Sequence, residues 1–411
     1  MSVNKNEAAA CLVIAAGVVL ALVVGSGAVS LPTAAPVATP ESGEAVPVTN
    51  TAVLPTATPV LTPAPTPKVE TVRFSASGDN LIHEGLYNQA HARAADGGYD
   101  FTAAYEHLKD FYAGFDLNWI NQETLVNSAF SPSGYPMFST PAEMAGDLYE
   151  VGFRAFSTSN NHSYDKGAEG IASAMACWDA LPEDAVAMGF YDLTTYDNYA
   201  YQTVNGITIG YLSYTESTNG LPTPADSSYG IVYLSQTDVI QKQIADMRPH
   251  CDVLVVSCHW GVEGSHNVTD GQRQTAQWLA DQGVDLIIGT HPHVTQTAEW
   301  LTAADGTDAF VAYSLGNLIS AQSEPDNMIG LILDITMQKT TAPDGTVTVE
   351  LRDPRLHPTV TQYENGYSNI RVYLFDDYTD EMGAAHGNFS LSREYIQGVL
   401  DDSVDTQFLA G

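Results

Sequence analysis

The chain has 411 residues, 44% of them hydrophobic, enough for one large domain or two average ones. Its 15 Lys and Arg stand against 49 Asp and Glu, a formal net charge of −34, and that sign repels nucleic-acid phosphates and anionic lipid headgroups, so no nucleic-acid partner is expected. Of the four cysteines, Cys11 lies in an apolar N-terminal run, and Cys177, Cys251 and Cys258 leave an odd number for the body, which implies no disulfide framework.

Residues 8–29 carry no charge, and a helix of about 22 residues at 1.5 Å each reaches across a hydrocarbon layer roughly 30 Å thick. Residues 1–30 are therefore expected to be an uncleaved signal-anchor or, since AVS before Leu31 resembles a peptidase site, a cleaved signal peptide. The rest of the chain is expected to be exported: membrane-anchored with its domain outside the cytoplasm, or secreted if the segment is cleaved. Residues 31–69 turn to Pro, Thr and Ala, as in LPTATPVLTPAPTPK, a composition that cannot bury a core. This linker is expected to extend roughly 100 Å at about 3.1 Å per residue. Residues 70–365 are expected to form the folded domain, with residues 366–411 a C-terminal extension that is acidic and helical from Phe375 onward.

Within that domain, strand and helix signals alternate. TVRFSASGD reads as a strand ending in Asp79, with His83 four residues on, and LNWINQE as one delivering Glu123. Thr140 as cap and Pro141 at the first helical position open PAEMAGDLYEV, Gly152 closes it, and the strand FRAFSTS follows. AEGIASAMACWDAL and VIQKQIADM read as helices, the second with Ile240, Ile244 and Met247 on one face before the strand DVLVVS. TDGQRQTAQWLADQG, stopped by Gly283, precedes the strand VDLIIG; DAFVAYSLGNLIS adds another. MIGLILDITMQ and GTVTVELRDPRL read as antiparallel strands around residues 343–345. This order predicts a largely parallel α/β core, with a strand-rich second half that suggests two packed sheets.

The ends of those strands carry the chemistry. A buried parallel strand needs only Val, Ile and Leu, yet VDLIIGTHPH ends in His291 and His293, CDVLVVSCH in His259, and FRAFSTSNNH in Asn161 and His162. With Asp79 and Glu123 these supply a bridging carboxylate, neutral imidazoles and an amide oxygen, the set that one or two divalent ions require. Oxygen and nitrogen donors suit Mn, Fe, Zn or Mg without choosing among them. His83 is a further candidate ligand. His162, beside Asn161 but pointing elsewhere, is the candidate proton donor to a leaving group, with Asp165 to orient it. Cys258 and Trp260 are read as packing residues, His266 as a solvated loop histidine, and Asn317 as a turn residue.

In this order GDNLIH, NQE, SNNHSYDKGAEGI, SCHWG, GVDLIIGTHPHVTQ and YSLGN resemble the signature blocks of the CapA family of poly-γ-glutamate capsule proteins. That domain is similar to calcineurin-like metallophosphoesterases. The resemblance spans residues 72–362. It implies a four-layer αββα sandwich of metallophosphoesterase type with the site at strand ends, and an extracytoplasmic role in making, exporting or anchoring an anionic γ-glutamyl polymer. It further implies poly-γ-glutamate and membrane-bound capsule synthesis proteins as partners. The chain departs from the metallophosphoesterase pattern where Leu81 stands two residues after Asp79 in place of histidine, where Glu123 replaces a bridging aspartate, and where SNNH replaces a Gly-Asn-His block.

Three readings follow: a metal-dependent hydrolase or transferase acting on a phosphoester or γ-glutamyl polymer, a non-catalytic assembly factor that binds polymer through metal, and an inactive surface-binding module. The chain lacks GxxxxGK[ST], so it is not itself an ATP-driven ligase.

Overall fold

A computed structural model describes residues 66–95 and 97–410. The expected signal segment, Cys11 and nearly all of the expected linker lie outside the described residues. Among the described residues no helix is long and apolar enough to cross a membrane.

Fourteen principal strands, numbered in chain order, form two sheets. The strands are β1 (Lys68–Asn80), β2 (Leu117–Gln122), β3 (Phe153–Ser157), β4 (Val186–Met188), β5 (Ala200–Val204), β6 (Ile207–Thr215) and β7 (Val253–His259). They continue as β8 (Leu286–Thr290), β9 (Thr295–Thr302), β10 (Asp308–Leu315), β11 (Asn317–Ile319), β12 (Ile329–Thr341), β13 (Val347–Glu364) and β14 (Ser368–Leu374). The first sheet runs β14-β13-β12-β1-β2-β3-β4, with β11 beside β1; the second runs β9-β10-β8-β7-β6-β5. Strands β1 to β4, and β6, β7, β8 and β10, pair in parallel, while β12, β13, β14, β9 and β5 add antiparallel flanks. The result is a mixed α/β fold in which the predicted parallel core is bordered by hairpins.

The sheets face each other. Ser157 of β3 lies 2.8 Å from the Ser213 hydroxyl of β6 and 3.1 Å from that of Ser257 of β7, so these faces meet. Ala76, Trp119 and Ala155 pair across neighbouring strands on the Ser157 face. They bury a core with Val253, Val255, Leu286 and Ile288 of the second sheet. The residues between those point the other way, since strand side chains alternate. Phe156 stacks on Trp178 of the helix Gly167–Asp179. Leu254, Val256 and Ile287 pack with Ile240, Ile244 and Met247 of the helix Thr237–Met247, and with Ala276 and Leu279 of the helix Asp270–Asp281. The latter helix opens with a reciprocal capping box between Thr269 and Gln272.

Two boundaries differ from the sequence expectation. Thr140 does not cap a helix: with Pro141 it pairs alongside Val126 and Asn127, its N–H donates to the Leu125 carbonyl at 2.8 Å, and the helix begins at Glu143. Gly152 does end that helix, at φ +124°. The C-terminal residues form the expected helices at Asp380–Ala384 and Arg393–Ser403, but within residues 366–410 β14 extends the first sheet and Ile396, Leu400, Val404 and Phe408 join the main core. The Leu356 N–H donates to the Phe408 carbonyl at 2.8 Å, tying that end to β13. Weak periodicity after residue 362 concealed an edge strand whose outer face is polar.

Candidate metal centre

A bulge aims Asp79. Along β1 the alternation that sends Phe74 and Ala76 inward would send Ser75, Ser77 and Asp79 toward the helices, and the Ser77 hydroxyl does meet the Tyr112 hydroxyl at 2.7 Å. The register with β2 shifts between Ser77 and Asp79, so Gly78 is the extra residue and Asp79 turns to the inter-sheet side. A Cβ on Gly78 would stand 1.9 Å from the Gly316 carbonyl oxygen, which is why glycine occupies the bulge. Asp79 is fully buried; its Oδ1 accepts from the Asn121 amide at 2.8 Å, and its Oδ2 accepts the His291 N–H at 3.2 Å.

Glu123 follows β2 directly, also fully buried, and neither of its carboxylate oxygens has a hydrogen-bond partner. Its Oε1 lies 3.6 Å from His293 Nε2 and 3.8 Å from His259 Nε2. His259, the last residue of β7, places Nδ1 3.0 Å from the Thr290 hydroxyl and Nε2 3.1 Å from both Asn161 Oδ1 and His291 Nδ1. If Nδ1 carries the proton to Thr290, the lone pair of Nε2 faces an amide oxygen, a second imidazole and a carboxylate. Such a meeting of electron-rich atoms calls for a cation.

His291 and His293 leave β8 with φ of +97° and +60°. Left-handed backbone is costly for residues with a Cβ, and it turns both rings back over the strand ends. His293 Nδ1 lies 3.1 Å from Asp79 Oδ2 and 3.0 Å from Asn317 Oδ1. One donor atom each from Asp79, Glu123 and His259 falls within 4.8 Å of the other two, and the same holds for Glu263, His291 and His293. Donors in two adjacent groups fit one or two divalent ions with nitrogen and oxygen ligands.

The electrostatics agree with that fit. Burial pushes Glu123 well above the usual carboxylate range; His293 opposes this, and Asp79 reinforces it. Burial would lower His293, but Glu123 and Asp79 outweigh it and raise it to about 10. Burial holds His291 down to about 4 and His259 well below its ordinary value, so both rings keep lone pairs. Glu123 and His293 thus hold a proton between them at neutral pH, and a metal ion can take that proton's place.

His162 and Asp165 are also brought together, with Nδ1 2.8 Å from Oδ2. The same Asp165 oxygen accepts the Phe138 N–H at 2.6 Å, and the Phe138 ring stands edge-on to both His162 and His83. His83 belongs to neither donor group: its Nδ1 contacts the Leu81 carbonyl and the Ala321 N–H, and burial lowers it to about 4. Thus Asp79, Glu123, Asn161, His259, His291 and His293 converge, while His83 stands beside Phe138 and Ala321.

Other residues depart from the sequence reading. Asn317 is not merely a turn residue. It pairs alongside Asp79 and orients His293, its own amide nitrogen donating to Gln322 Oε1 at 2.7 Å and to the Asn327 carbonyl at 3.0 Å. His266 is half-buried rather than solvated, its ring nitrogens 2.8 Å from the Thr295 carbonyl and 3.2 Å from Asp326 Oδ2. Cys258 and Trp260 are core, the indole donating to the Tyr313 carbonyl at 2.9 Å. Asn121 and Glu263 went unnoticed, although each lies within four residues of a ligand type at a strand end.

Residues 73–322 match the family model described as Bacterial capsule synthesis protein PGA_cap. The PGA biosynthesis protein CapA of Bacillus subtilis is 29% identical over 264 residues, 63% of this chain and 67% of the relative. The capsule biosynthesis protein CapA of Bacillus anthracis is 30% identical over 190 residues, 45% of this chain and 44% of that protein. Among solved structures, the NAD nucleotidase of Haemophilus influenzae overlaps with a TM-score of 0.43 at 12% identity, covering 84% of this chain and 57% of that one. A 5′-nucleotidase precursor from Thermus thermophilus gives 0.42 at 14% identity, with 81% and 59% covered.

Proposed function

The chain belongs to the bacterial capsule synthesis protein family, and from that membership we propose that it serves poly-γ-glutamate-type capsule synthesis, export or anchoring through a metal-dependent hydrolase or transferase site. The observation that carries the metal-dependent part is Glu123, fully buried and unpartnered between His259 and His293. A buried carboxylate with no hydrogen bond is costly unless positive charge balances it, a role that a bound cation fills in place of the His293 proton.

Asp79, Glu123, Asn161, His259, His291 and His293 would hold one or two divalent ions. When bound, such ions supply Lewis-acid charge opposite a developing negative charge on a phosphoryl or acyl group. The protein's own part is orientation and proton transfer. Asp165 fixes the His162 ring through Nδ1, leaving Nε2 to carry a proton to the departing oxygen or nitrogen. Burial of both His162 and Asp165 excludes water from that pair.

The same proposal places the domain outside the cytoplasm, carried there by the apolar segment of residues 1–30, with membrane-bound capsule synthesis proteins as partners. A chain of net charge −34 repels a polyanion, so contact with poly-γ-glutamate is proposed to run through the bound ion. The test is turnover of generic phosphodiesters and of poly-γ-glutamate by metal-loaded full-length protein, with His162→Gln as control. Turnover lost in the variant supports the catalytic reading. Metal binding without turnover on either substrate overturns it in favour of a non-catalytic, metal-dependent assembly factor.

A further inference from the structure

We infer that the hairpin of residues 133–139 is a substrate-binding lip, on which Tyr135 and Met137 receive an apolar, ring-sized leaving group beside His162. The inference rests on the hydrolase or transferase reading above and names what the departing half of the substrate carries. Seven large hydrophobic side chains are exposed among the described residues, and three of them stand on two loops tied to the site. Tyr135 is 79% exposed and Met137 37%, both on this hairpin. Val262, 55% exposed, lies on the loop after β7, where the Gly264 N–H donates to the Pro292 carbonyl at 2.8 Å. Apolar side chains left in water on loops that border a polar site mark a surface that a ligand covers.

The hairpin is fastened at both ends, so the tip that carries Tyr135 is held in place. The Ser133 and Ser139 N–H groups donate to each other's carbonyls at 3.1 and 2.9 Å, and the Met137 carbonyl accepts from the Ser133 hydroxyl at 2.6 Å and from Lys166 Nζ at 3.0 Å. The Phe138 N–H is taken by Asp165 Oδ2, the oxygen that also fixes the His162 ring. A run of edge-on rings then leads inward: the Tyr135 centroid lies 6.4 Å from that of Phe138, which lies 4.7 Å from that of His162. Phe138 is buried, so Tyr135 and Met137 are the members of this run of the hairpin that meet solvent. The exposed ring stands one side chain away from the proposed proton donor, a placement that favours the leaving group over a protein partner as its occupant. A ring laid against Tyr135 gains stacking beyond the area it buries, and the flexible thioether of Met137 adapts to its edge.

The test titrates full-length, Mn(II)-loaded protein with phenylphosphonate and with methylphosphonate by calorimetry. The two probes share a phosphoryl mimic and differ in the group that stands where a leaving group would. Wild type should bind the phenyl probe roughly threefold to tenfold more tightly than the methyl probe. Tyr135→Ala should bind the two alike, with metal content and thermal unfolding unchanged because the side chain lies at an exposed tip, and Tyr135→Phe should keep the preference. Equal affinities for the two probes in wild type, or a preference that survives in Tyr135→Ala, would overturn the lip while leaving the metal-dependent reading intact. Protein that takes up no Mn(II), or that takes it up and binds neither probe, would overturn the lip together with the phosphoester reading.

Discussion

His162 Nδ1 stands 2.8 Å from Asp165 Oδ2, and the same oxygen accepts the Phe138 amide at 2.6 Å. One carboxylate thus sets the tautomer of a buried histidine and the position of the ring beside it. Asp165→Asn removes the charge and puts an N–H₂ near groups that themselves donate. Turnover should fall on the order of 100-fold, the scale of a lost positioned proton donor. Metal content should be unchanged; equal turnover in the variant, measured at matched metal loading, would remove Asp165 from this role.

Asn317 acts on His293 from behind. Its amide nitrogen is committed to Gln322 and Asn327, so Oδ1 faces His293 Nδ1 at 3.0 Å and favours a proton there, leaving Nε2 for a ligand. Asn317→Ala is expected to weaken divalent-metal affinity about 10- to 100-fold in chelator competition. The wild-type affinity in that variant would mean that Asp79 alone orients the ring.

Much of this architecture is readable in the residues. Apolar runs ending in Asp, Asn or His mark β1, β3, β7 and β8 because a buried strand has no packing use for such side chains. What escaped has physical causes. The bulge at Gly78 that turns Asp79 inward is a register event, invisible to a pattern of period two. Asn317 and Glu263 come near the histidines through the way β11 lies beside β1 and a glycine-bent loop returns to the histidine turn. His83 misled because its place four residues after Asp79 resembled a ligand position, whereas the chain beyond Asn80 carries it to Ala321 and Phe138.

Gly289 links packing to the site. A Cβ there would stand 1.9 Å from the Tyr313 carbonyl oxygen and 2.6 Å from Trp260 Nε1, intruding on the indole hydrogen bond just before His291. Gly289→Ala should destabilise the domain by about 1–3 kcal/mol or more, lowering Tm by several degrees, and should weaken metal binding as the histidine turn shifts. An unaltered Tm in scanning calorimetry would show that the two strands separate more readily than this contact implies.

Acid sensitivity should have a contribution remote from the site. His386, stacked between Tyr363 and Phe389, is held down to about 4 by burial. A histidine in the unfolded chain titrates near 6.5, so on acidification the unfolded state takes the proton first. The stability that depends on a neutral His386 is therefore present above about 6.5 and lost as pH falls toward 4. His386→Phe keeps an aromatic ring, and its unfolding free energy should fall about 1–2 kcal/mol less than wild type between pH 7.5 and pH 5. Parallel stability profiles for the two proteins would contradict this.

Bound metal per chain, measured by elemental analysis on purified full-length protein beside Asp79→Ala and Glu123→Gln, tests the central claim most directly. The account predicts one or two divalent ions in wild type and loss of at least one in each variant, with folding retained by circular dichroism. Wild-type protein that carries no metal and takes up none on reconstitution would contradict it.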